Sequence, residues 1–583
     1  MNGWWNRLAR VDLTTREVTY EKVGEDILHE FIGGRGLGIR LLVEEISPDI
    51  DPLEENILVF AAGPLTGTSV PTSGRFSVSS KSPLTGTVAD SNVGGSFGSE
   101  FKRTGLDALI VEGTSEEPVR LKIDEEDISI TKTDLWGSET GKCLDELDEK
   151  SAVIGPAGEN QVLYSSIVTN GYRVFGRGGI GAVMGSKRLK AISVKGTKYV
   201  SIADKELLKE HVKKAASKIS SSPVTSRGLK KFGTPILVNL LAWLGMFSKN
   251  NFREAADEEE AENLSGEKMK EEIVEEHEGC YACPIRCGLK TKTKKEKGKG
   301  PEYESVWALG SNLGIFDLEE VAELNYLCNE LGLDTISTGG TLACAMEMSE
   351  ENIWSKIDGF GGEVEEILNK IAYREGVGDE LAEGSKRLCK KYDCSFSMTV
   401  KGMELPAYDP RGAAGQALSF ATSNRGGCHL RGYMIGEEIF GVPKLFDRFK
   451  TSGKAQLVKR SQERNAYLDS LIACKFSAFA LDENFYSRFI QSTTGVEYTV
   501  SDLHTVGERI YDLERLFNVK AGFDKKDDRL PERFFNPLKE GASADNVFDI
   551  GSMIEDYYEV MGWDEKGIPK RSTLERLEIE GLL

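Results

Sequence analysis

Two regimes of hydrophobic patterning divide this chain. From Trp4 to about Val200, short apolar runs such as Ile57–Ala61, Ala108–Val111 and Ala191–Val194 sit between clusters of Gly, Pro and Ser. Runs of this length, bounded by turn residues, predict strands. After Ser201-Ile-Ala-Asp204 the period lengthens: Lys205–Ile219 and Leu318–Leu331 place apolar residues at helical spacing. A second break falls at the Pro- and Gly-rich stretch Leu405–Gly415. The pattern predicts an α+β protein: a β-rich base over residues 1–201, then two mainly α-helical domains over 202–400 and 401–583. The longest apolar run, Pro235–Phe247, is broken by Asn239 and Gly245 and is shorter than the roughly 20 residues a bilayer span needs. It predicts a buried helix and no membrane association.

A length of 583 residues is too great for one hydrophobic core and suggests about three or four domains. With 73 Lys and Arg against 94 Asp and Glu, the formal net charge is -21, which disfavours nucleic acid and anionic membranes as partners because both require a basic face. A cytoplasmic location is expected. The 62 glycines exceed the usual share of about 7% and crowd the first third, in Gly33–Gly38, Gly63–Gly67, Gly74-Arg75, Asn92-Val93-Gly94-Gly95, Gly171-Tyr172-Arg173 and Gly176–Gly181. Glycine lets backbone N–H groups curl around an anion, and interleaved arginines add charge-assisted bonds to phosphate. Each string alone reads equally well as a tight turn. Their repetition predicts a cofactor with more than one phosphate, held by the β-rich domain. Gly176–Gly181 has dinucleotide-fingerprint spacing, but the next strand arrives too soon for a crossover helix, and there is no Walker A string.

Ten cysteines without a signal peptide predict thiols in a reducing compartment. Three of them form Cys280-Tyr-Ala-Cys283-Pro-Ile-Arg-Cys287, and an iron-sulfur cluster often takes three thiolates from one turn and a fourth from far along the chain. Cys474, after the apolar helix end Asp469–Ala473, is the best fourth ligand. Structural zinc stays open as an alternative, with His277 as the one imidazole nearby. A radical S-adenosylmethionine site is disfavoured because the narrow and wide gaps are in the wrong order. The thiols of Cys143, Cys328, Cys344, Cys389, Cys394 and Cys428 are expected in cores.

Several strings together are more specific: Ala61–Gly67, Lys81–Gly86, Gly155–Asn160, Gly179–Gly185, the cysteine cluster, Gly300-Pro-Glu-Tyr-Glu304 and Arg425-Gly-Gly-Cys-His429. On these, nearly the whole chain resembles the aldehyde ferredoxin oxidoreductases, tungsten-pterin iron-sulfur enzymes of anaerobes. The resemblance implies tungsten, or molybdenum, held by two pterins; a 4Fe-4S cluster on Cys280, Cys283, Cys287 and Cys474; and magnesium bridging the pterin phosphates. By the same resemblance, Arg75 and Arg173 meet phosphate and pterin, Asn92 and Val174 offer carbonyls to magnesium, and Gly94 and Gly95 flank them. Two Asp-x-x-Gly-Leu motifs grip pterins in the family. Here they read Asn329-Glu-Leu-Gly332-Leu333 and Asp469-Ser-Leu-Ile-Ala473, with asparagine for one carboxylate and Ile-Ala for Gly-Leu. Arg431 takes the place of a basic residue that often follows the site histidine.

The implied reaction oxidises an aldehyde to a carboxylic acid and passes electrons to ferredoxin. Glu304 is the expected general base, with Tyr303 and His429 as hydrogen-bond donors. A same-fold enzyme for a sugar aldehyde or an aromatic acid, in a larger complex, and a non-catalytic electron relay are the competing readings. Where some relatives bind an intersubunit iron through Glu-x-x-His, this chain has Glu323-Leu-Asn-Tyr326, so that iron is not expected; a homodimer or a larger complex is left open. The lysine-rich loop Lys290–Lys299, directly after the cysteines, reads as a steering surface for acidic ferredoxin or as a solvated hairpin.

Overall fold

Alternation along the strands builds the first third. Leu58 and Phe60 point to one apolar cluster and Val59 and Ala61 to another, and the strand beside them repeats this with Leu109 and Val111 against Ala108 and Ile110. Such period-two patterning is what a sheet buried on both faces requires. The computed structural model describes residues 1–125 and 127–583. Its first sheet has six strands in the order Glu17–Glu21, Leu8–Asp12, Ala108–Glu112, Leu58–Ala61, Phe76–Lys81, Val88–Val93. A second six-stranded sheet runs Arg173–Phe175, Ile167–Thr169, Lys150–Ile154, Leu189–Val194, Val119–Ile123, Ile128–Lys132. The two share a core centred on Phe76, whose ring lies 4.7 Å from that of Phe101 and 5.6 Å from that of Phe97. The expected strands at 57–61, 108–111 and 191–194 and the helices at 205–219 and 318–331 all form, and the fold is α+β, with a β-rich base followed by a mainly helical region.

The outer face of the first sheet carries a result the sequence did not suggest. Gly33–Gly38, expected to be a phosphate loop, opens the helix Gly34–Glu45. Its glycines allow close packing instead: a Cβ on Gly33 would lie 2.6 Å from Gly63 Cα, and one on Gly36 would lie 2.2 Å from Phe31 O and 3.0 Å from Ser470 Oγ. Gly176–Gly181 leads only into the seven-residue helix Ile180–Ser186, too short for a dinucleotide crossover. The apolar run Pro235–Phe247 is a short helical turn followed by the helix Leu237–Trp243. It is not wholly buried, because Trp243 is 68% exposed.

One apolar core includes Trp307, Leu342, Met403, Leu418, Ile554 and Trp563, so side chains on both sides of residue 400 pack together. The helix Lys205–Ser221 sends Leu208, Ala215 and Ile219 into the same core as Trp4, Phe485 and Phe489. Among the described residues no helix is long and apolar enough to cross a membrane.

A buried knot of charge joins the base to the C-terminal helices. Arg35, on Gly34–Glu45, makes two bonds to Glu514, at 2.7 and 2.8 Å. It lies 3.4 Å from Asp90, on the strand Val88–Val93, and 3.6 Å from Asp469, on the helix Lys454–Leu471. Arg431 pairs with Asp90 and stands 3.5 Å from Asp469, and Lys475 bonds Asp469 at 2.9 Å. Three cations thus face three carboxylates. Burial alone would raise the Asp90 carboxyl, but Arg431, Arg35 and Arg425 hold it below its usual range. Removing one member strands charge in the interior, so Arg35→Ala should lower stability to denaturant by about 3–5 kcal/mol. An unchanged unfolding midpoint would show that the knot contributes no stability.

Candidate active site

The knot forms one wall of a cavity of about 450 Å³ at the meeting of base and helices. Cys280, Cys283, Cys287 and Cys474 all line it and all are free thiols. The chain brings Cys474 there by ending the helix Lys454–Leu471 on Ile472, which takes the left-handed conformation at φ 64, and the Cys474 N–H then bonds Thr72 O at 3.1 Å. The Cys280 loop docks through Tyr281 N–H to Gly95 O, 2.9 Å. Burial pushes the Cys283 thiol up to about 11, and the Cys474 and Cys280 sulfurs push the same way. Such thiols need a cationic neighbour to become thiolates. Arg75 supplies one, with a terminal nitrogen 3.5 Å from Cys474 Sγ. His277, the ligand a zinc site would draw on, instead lines a separate outer groove.

Arg75 also donates to Asn92 Oδ1 at 3.2 Å and so spans thiols and cavity. Arg173 lies 4.0 Å from Glu302, in space that glycines leave open: a Cβ on Gly288 would fall 2.2 Å from the Arg173 guanidinium, and one on Gly95 would fall 3.1 Å from its Cγ. Both arginines, with Val174, Gly94, Asn329, Leu333, Arg431 and Asp469, line the cavity. Gly95, Gly332 and Ala473 do not line it and act through the backbone. Gly332 ends the helix Leu318–Leu331 at φ 76 and its carbonyl accepts from Ser166 N–H at 2.8 Å. Ala473 N–H bonds Leu468 O at 3.0 Å. Gly332 and Ile472 therefore do the same job at two helix ends, and Ile472 does it despite the cost of a β-branched side chain at positive φ.

On the lining of the same cavity Glu304 and His429 converge, with His429 Nδ1 3.6 Å from Glu304 Oε1. Glu304, in the first turn of the helix Tyr303–Leu309, accepts from Ala407 N–H at 2.9 Å through Oε2. Burial lifts its carboxyl to about 8, with the Ala407 bond opposing. Burial, then Arg177, Arg425 and Lys475, hold His429 well below its usual value, so it is neutral near pH 7. Tyr303 and Tyr408 rings lie 5.4 Å apart, Tyr408 and His429 rings 5.6 Å apart, and the Tyr408 and Tyr433 hydroxyls 3.2 Å apart.

Several functional neighbours were not singled out from the sequence. Arg177, inside a discounted glycine string, bonds Asp334 at 3.2 Å and Glu404 O at 2.6 Å, and also Gly427 O, pinning the His429 loop to the base. Arg425 donates to Cys428 Sγ at 2.9 Å. Burial would raise the Cys428 thiol, but Arg425, Arg431 and Arg177 bring it down to about 7. Cys344 and Cys394, expected as core or bystander thiols, flank Cys389 at 3.3 and 2.8 Å. Tyr326 hydrogen-bonds Thr291 at 2.5 Å, and Glu323 pairs with Lys295. The lysine loop is a hairpin of Gly288–Lys292 and Lys297–Lys299. It is not a free basic patch: Lys290, Lys294, Lys295, Lys297 and Lys299 pair with Glu276 and Glu278, Glu319, Glu323, Glu275 and Glu302 respectively.

Guanidinium groups and four thiols around one enclosed space fit a large anionic redox cofactor. Buried polar atoms without a protein partner mark the same space: Asn92 Nδ2, Tyr303 Oη, Glu304 Oε1, His429 Nδ1 and Arg431 Nε. Among the described residues no three His, Cys, Asp or Glu side chains, the four thiols included, are drawn close around a single ion. Comparison with known proteins agrees. Residues 8–196 match the family model for the aldehyde ferredoxin oxidoreductase N-terminal domain, and residues 210–579 match that for its domains 2 and 3. The chain is 45% identical over 603 residues to a tungsten-containing aldehyde ferredoxin oxidoreductase of Pyrococcus furiosus, covering 99% of each. It is 44% identical to one of Thermococcus kodakarensis, covering 100% of each. The chain belongs to the aldehyde ferredoxin oxidoreductase family. Its fold is also that of the active-site complex of a benzoyl coenzyme A reductase bound to 1,5-dienoyl-CoA, with TM-score 0.86 at 24% identity over 100% of this chain and 98% of that one.

Gly94 offers a local check. A Cβ there would lie 2.8 Å from Cys280 Sγ, so Gly94→Ala should displace that thiol and lower the iron held per chain after anaerobic purification. Iron content equal to that of the unaltered protein would show that the packing of Gly94 against Cys280 does not govern iron binding.

Proposed function

We propose that this protein is a tungsten-pterin oxidoreductase that oxidises aldehydes to carboxylic acids and delivers the electrons to ferredoxin. Family membership with 45% identity along the whole chain supports the activity. The observation that carries the site assignment is the convergence of Glu304 and His429 on the cavity that Arg75, Arg173 and four thiols also line. The balance is RCHO plus water giving RCOO⁻, three protons and two electrons. When bound, the tungsten-pterin supplies the two-electron acceptor. Arg75, Arg173, Asn329, Arg431 and Asp469 would hold the pterins and their phosphates, and Asn92 and Val174 would offer carbonyls to a magnesium between the phosphates. Cys280, Cys283, Cys287 and Cys474 would ligate a 4Fe-4S cluster that releases electrons singly.

The side chains divide the remaining work. Tyr303 Oη, buried and unpartnered, donates to the aldehyde oxygen, and neutral His429 is a second donor. Glu304, fixed through Oε2 by Ala407 N–H, keeps Oε1 free to take a proton from water as the oxygen is added. Tyr408, Tyr433, Phe440 and Phe479 line the approach. That aromatic wall suits an uncharged aromatic or longer aliphatic aldehyde. The three-domain division expected from the sequence would put the base under the pterins and the helical regions over them, with side chains on both sides of residue 400 packing in one shared core.

The test is aldehyde-dependent reduction of a viologen dye by the loaded enzyme. Because the Glu304 carboxyl sits near about 8 and must lose its proton to act as a base, kcat/KM should climb with pH and level off above that value. Glu304→Gln should abolish the limb and cost about 100-fold or more in kcat. A variant that keeps the limb would remove Glu304 from the role. Absence of aldehyde oxidation by protein containing tungsten and iron would contradict the reading as a whole.

A further inference from the structure

Electrons that leave the thiols lining the cavity need an exit, and the lysine hairpin is a poor one because its charge is matched by glutamates. The structure assigns the docking of an acidic ferredoxin-type protein to a different surface: the groove formed by Ser226, Arg227, Lys230, Lys231, Phe232 and His277. This inference rests on the proposed oxidoreductase reading and names the face its partner uses.

Three observations carry it. First, the wall between this groove and the cofactor cavity is a single turn of helix. Val224–Leu229 is a π-helix, a rare geometry that recurs at functional sites. Its Val224, Gly228 and Leu229 line the cavity, while Ser226, Arg227 and Gly228 line the outer groove. Gly228, with no side chain, is common to both. Second, the basic turn touches the thiol loop. At Gly233, directly after Lys230–Phe232, a Cβ would stand 3.1 Å from Cys287 O. Arg286, adjacent to Cys287, donates to His277 O at 2.8 Å.

Third, the charge here is unopposed. Arg227, Lys230, Lys231 and Arg286 are exposed and Lys270 is half-buried, and among the described residues none of the five has an ion-pair partner. Glu271 and Glu272, at the end of the same helix as Lys270, are exposed and make no ion pair with these cations. Lys231 and Lys270 flank the Phe232 ring at 4.6 and 5.7 Å, leaving an aromatic face among cations. On a chain of net charge -21, most of the surface repels an acidic protein. A local cationic groove beside the thiols therefore orients as well as attracts one.

The experiment compares Arg227→Glu/Lys230→Glu/Lys231→Glu with the hairpin variant Lys294→Glu/Lys295→Glu, both as holoenzymes. Binding of an oxidised acidic ferredoxin is measured by calorimetric titration, and kcat/KM is measured with ferredoxin and with a viologen dye. The groove variant should weaken ferredoxin binding by about tenfold or more and flatten its salt dependence while leaving the dye rate intact; the hairpin variant should do neither. A neutral set, Arg227→Gln/Lys230→Gln/Lys231→Gln, should fall between the groove variant and the unaltered enzyme. Equal losses with ferredoxin and dye, a larger effect from the hairpin, or a dimer that the groove variant breaks would overturn the assignment. Because binding and reoxidation of dithionite-reduced protein by ferredoxin need no aldehyde, the docking face can fail while aldehyde oxidation stands, or stand while aldehyde oxidation fails.

Discussion

The rest of this structure depends on keeping Arg35, Arg431 and Lys475 in balance with Asp90, Asp469 and Glu514 inside the protein. Each charge alone would be intolerable in that interior, and together they neutralise one another. Because the six come from the base sheet, the Gly34–Glu45 helix, the His429 loop, two C-terminal helices and the short helical turn Lys475–Phe479, satisfying them fixes how those elements meet. The glycines of Gly33–Gly38 let the helix carrying Arg35 approach closely enough for this. The cavity opens where four of the six, Asp90, Arg431, Asp469 and Lys475, turn one side toward open space.

The cavity lining carries two groups of titratable side chains, the four thiols and the Glu304–His429 pair. Near the thiols, Arg75 and Arg173 supply positive charge of the kind that favours thiolates, Arg75 standing 3.5 Å from Cys474 Sγ. Near Glu304 and His429, burial dominates: it keeps the carboxyl protonated to about pH 8 and the imidazole neutral. In the proposed reading, proton transfer falls to Glu304 and electron exit to the thiols, all on the lining of one cavity. The thin π-helical wall behind the thiols continues that path to a cationic exterior.

Much of this was legible in the sequence, and the limits have physical causes. Strands and amphipathic helices declared themselves because each buries a periodic face. The cysteine spacing, with a distant helix end bearing Cys474, indicated a four-thiol site, and a Glu and a His in specific strings indicated the pair on the same lining. What misled was glycine, which looks the same whether it admits a phosphate or a neighbouring helix; only the contacts of Gly33, Gly36 and Gly63 distinguish the two. For lysines 290–299 the solvated-hairpin reading holds, and their ion pairs were not legible because most of the glutamates come from the strand Val274–Glu278 and the helix Leu318–Leu331, which meet the hairpin only in three dimensions. Arg177 and Arg425 lay within quoted strings, yet their roles depend on carbonyls and a thiol brought in from elsewhere in the chain.

In the proposed reading one cavity holds both a tungsten-pterin and an iron-sulfur cluster on Cys280, Cys283, Cys287 and Cys474. Elemental analysis of anaerobically purified protein and of Cys474→Ser tests it most directly. The account predicts about one tungsten or molybdenum and about four irons per chain, with iron lost from the variant. Iron without tungsten or molybdenum, zinc in place of iron, or full iron in Cys474→Ser would contradict it.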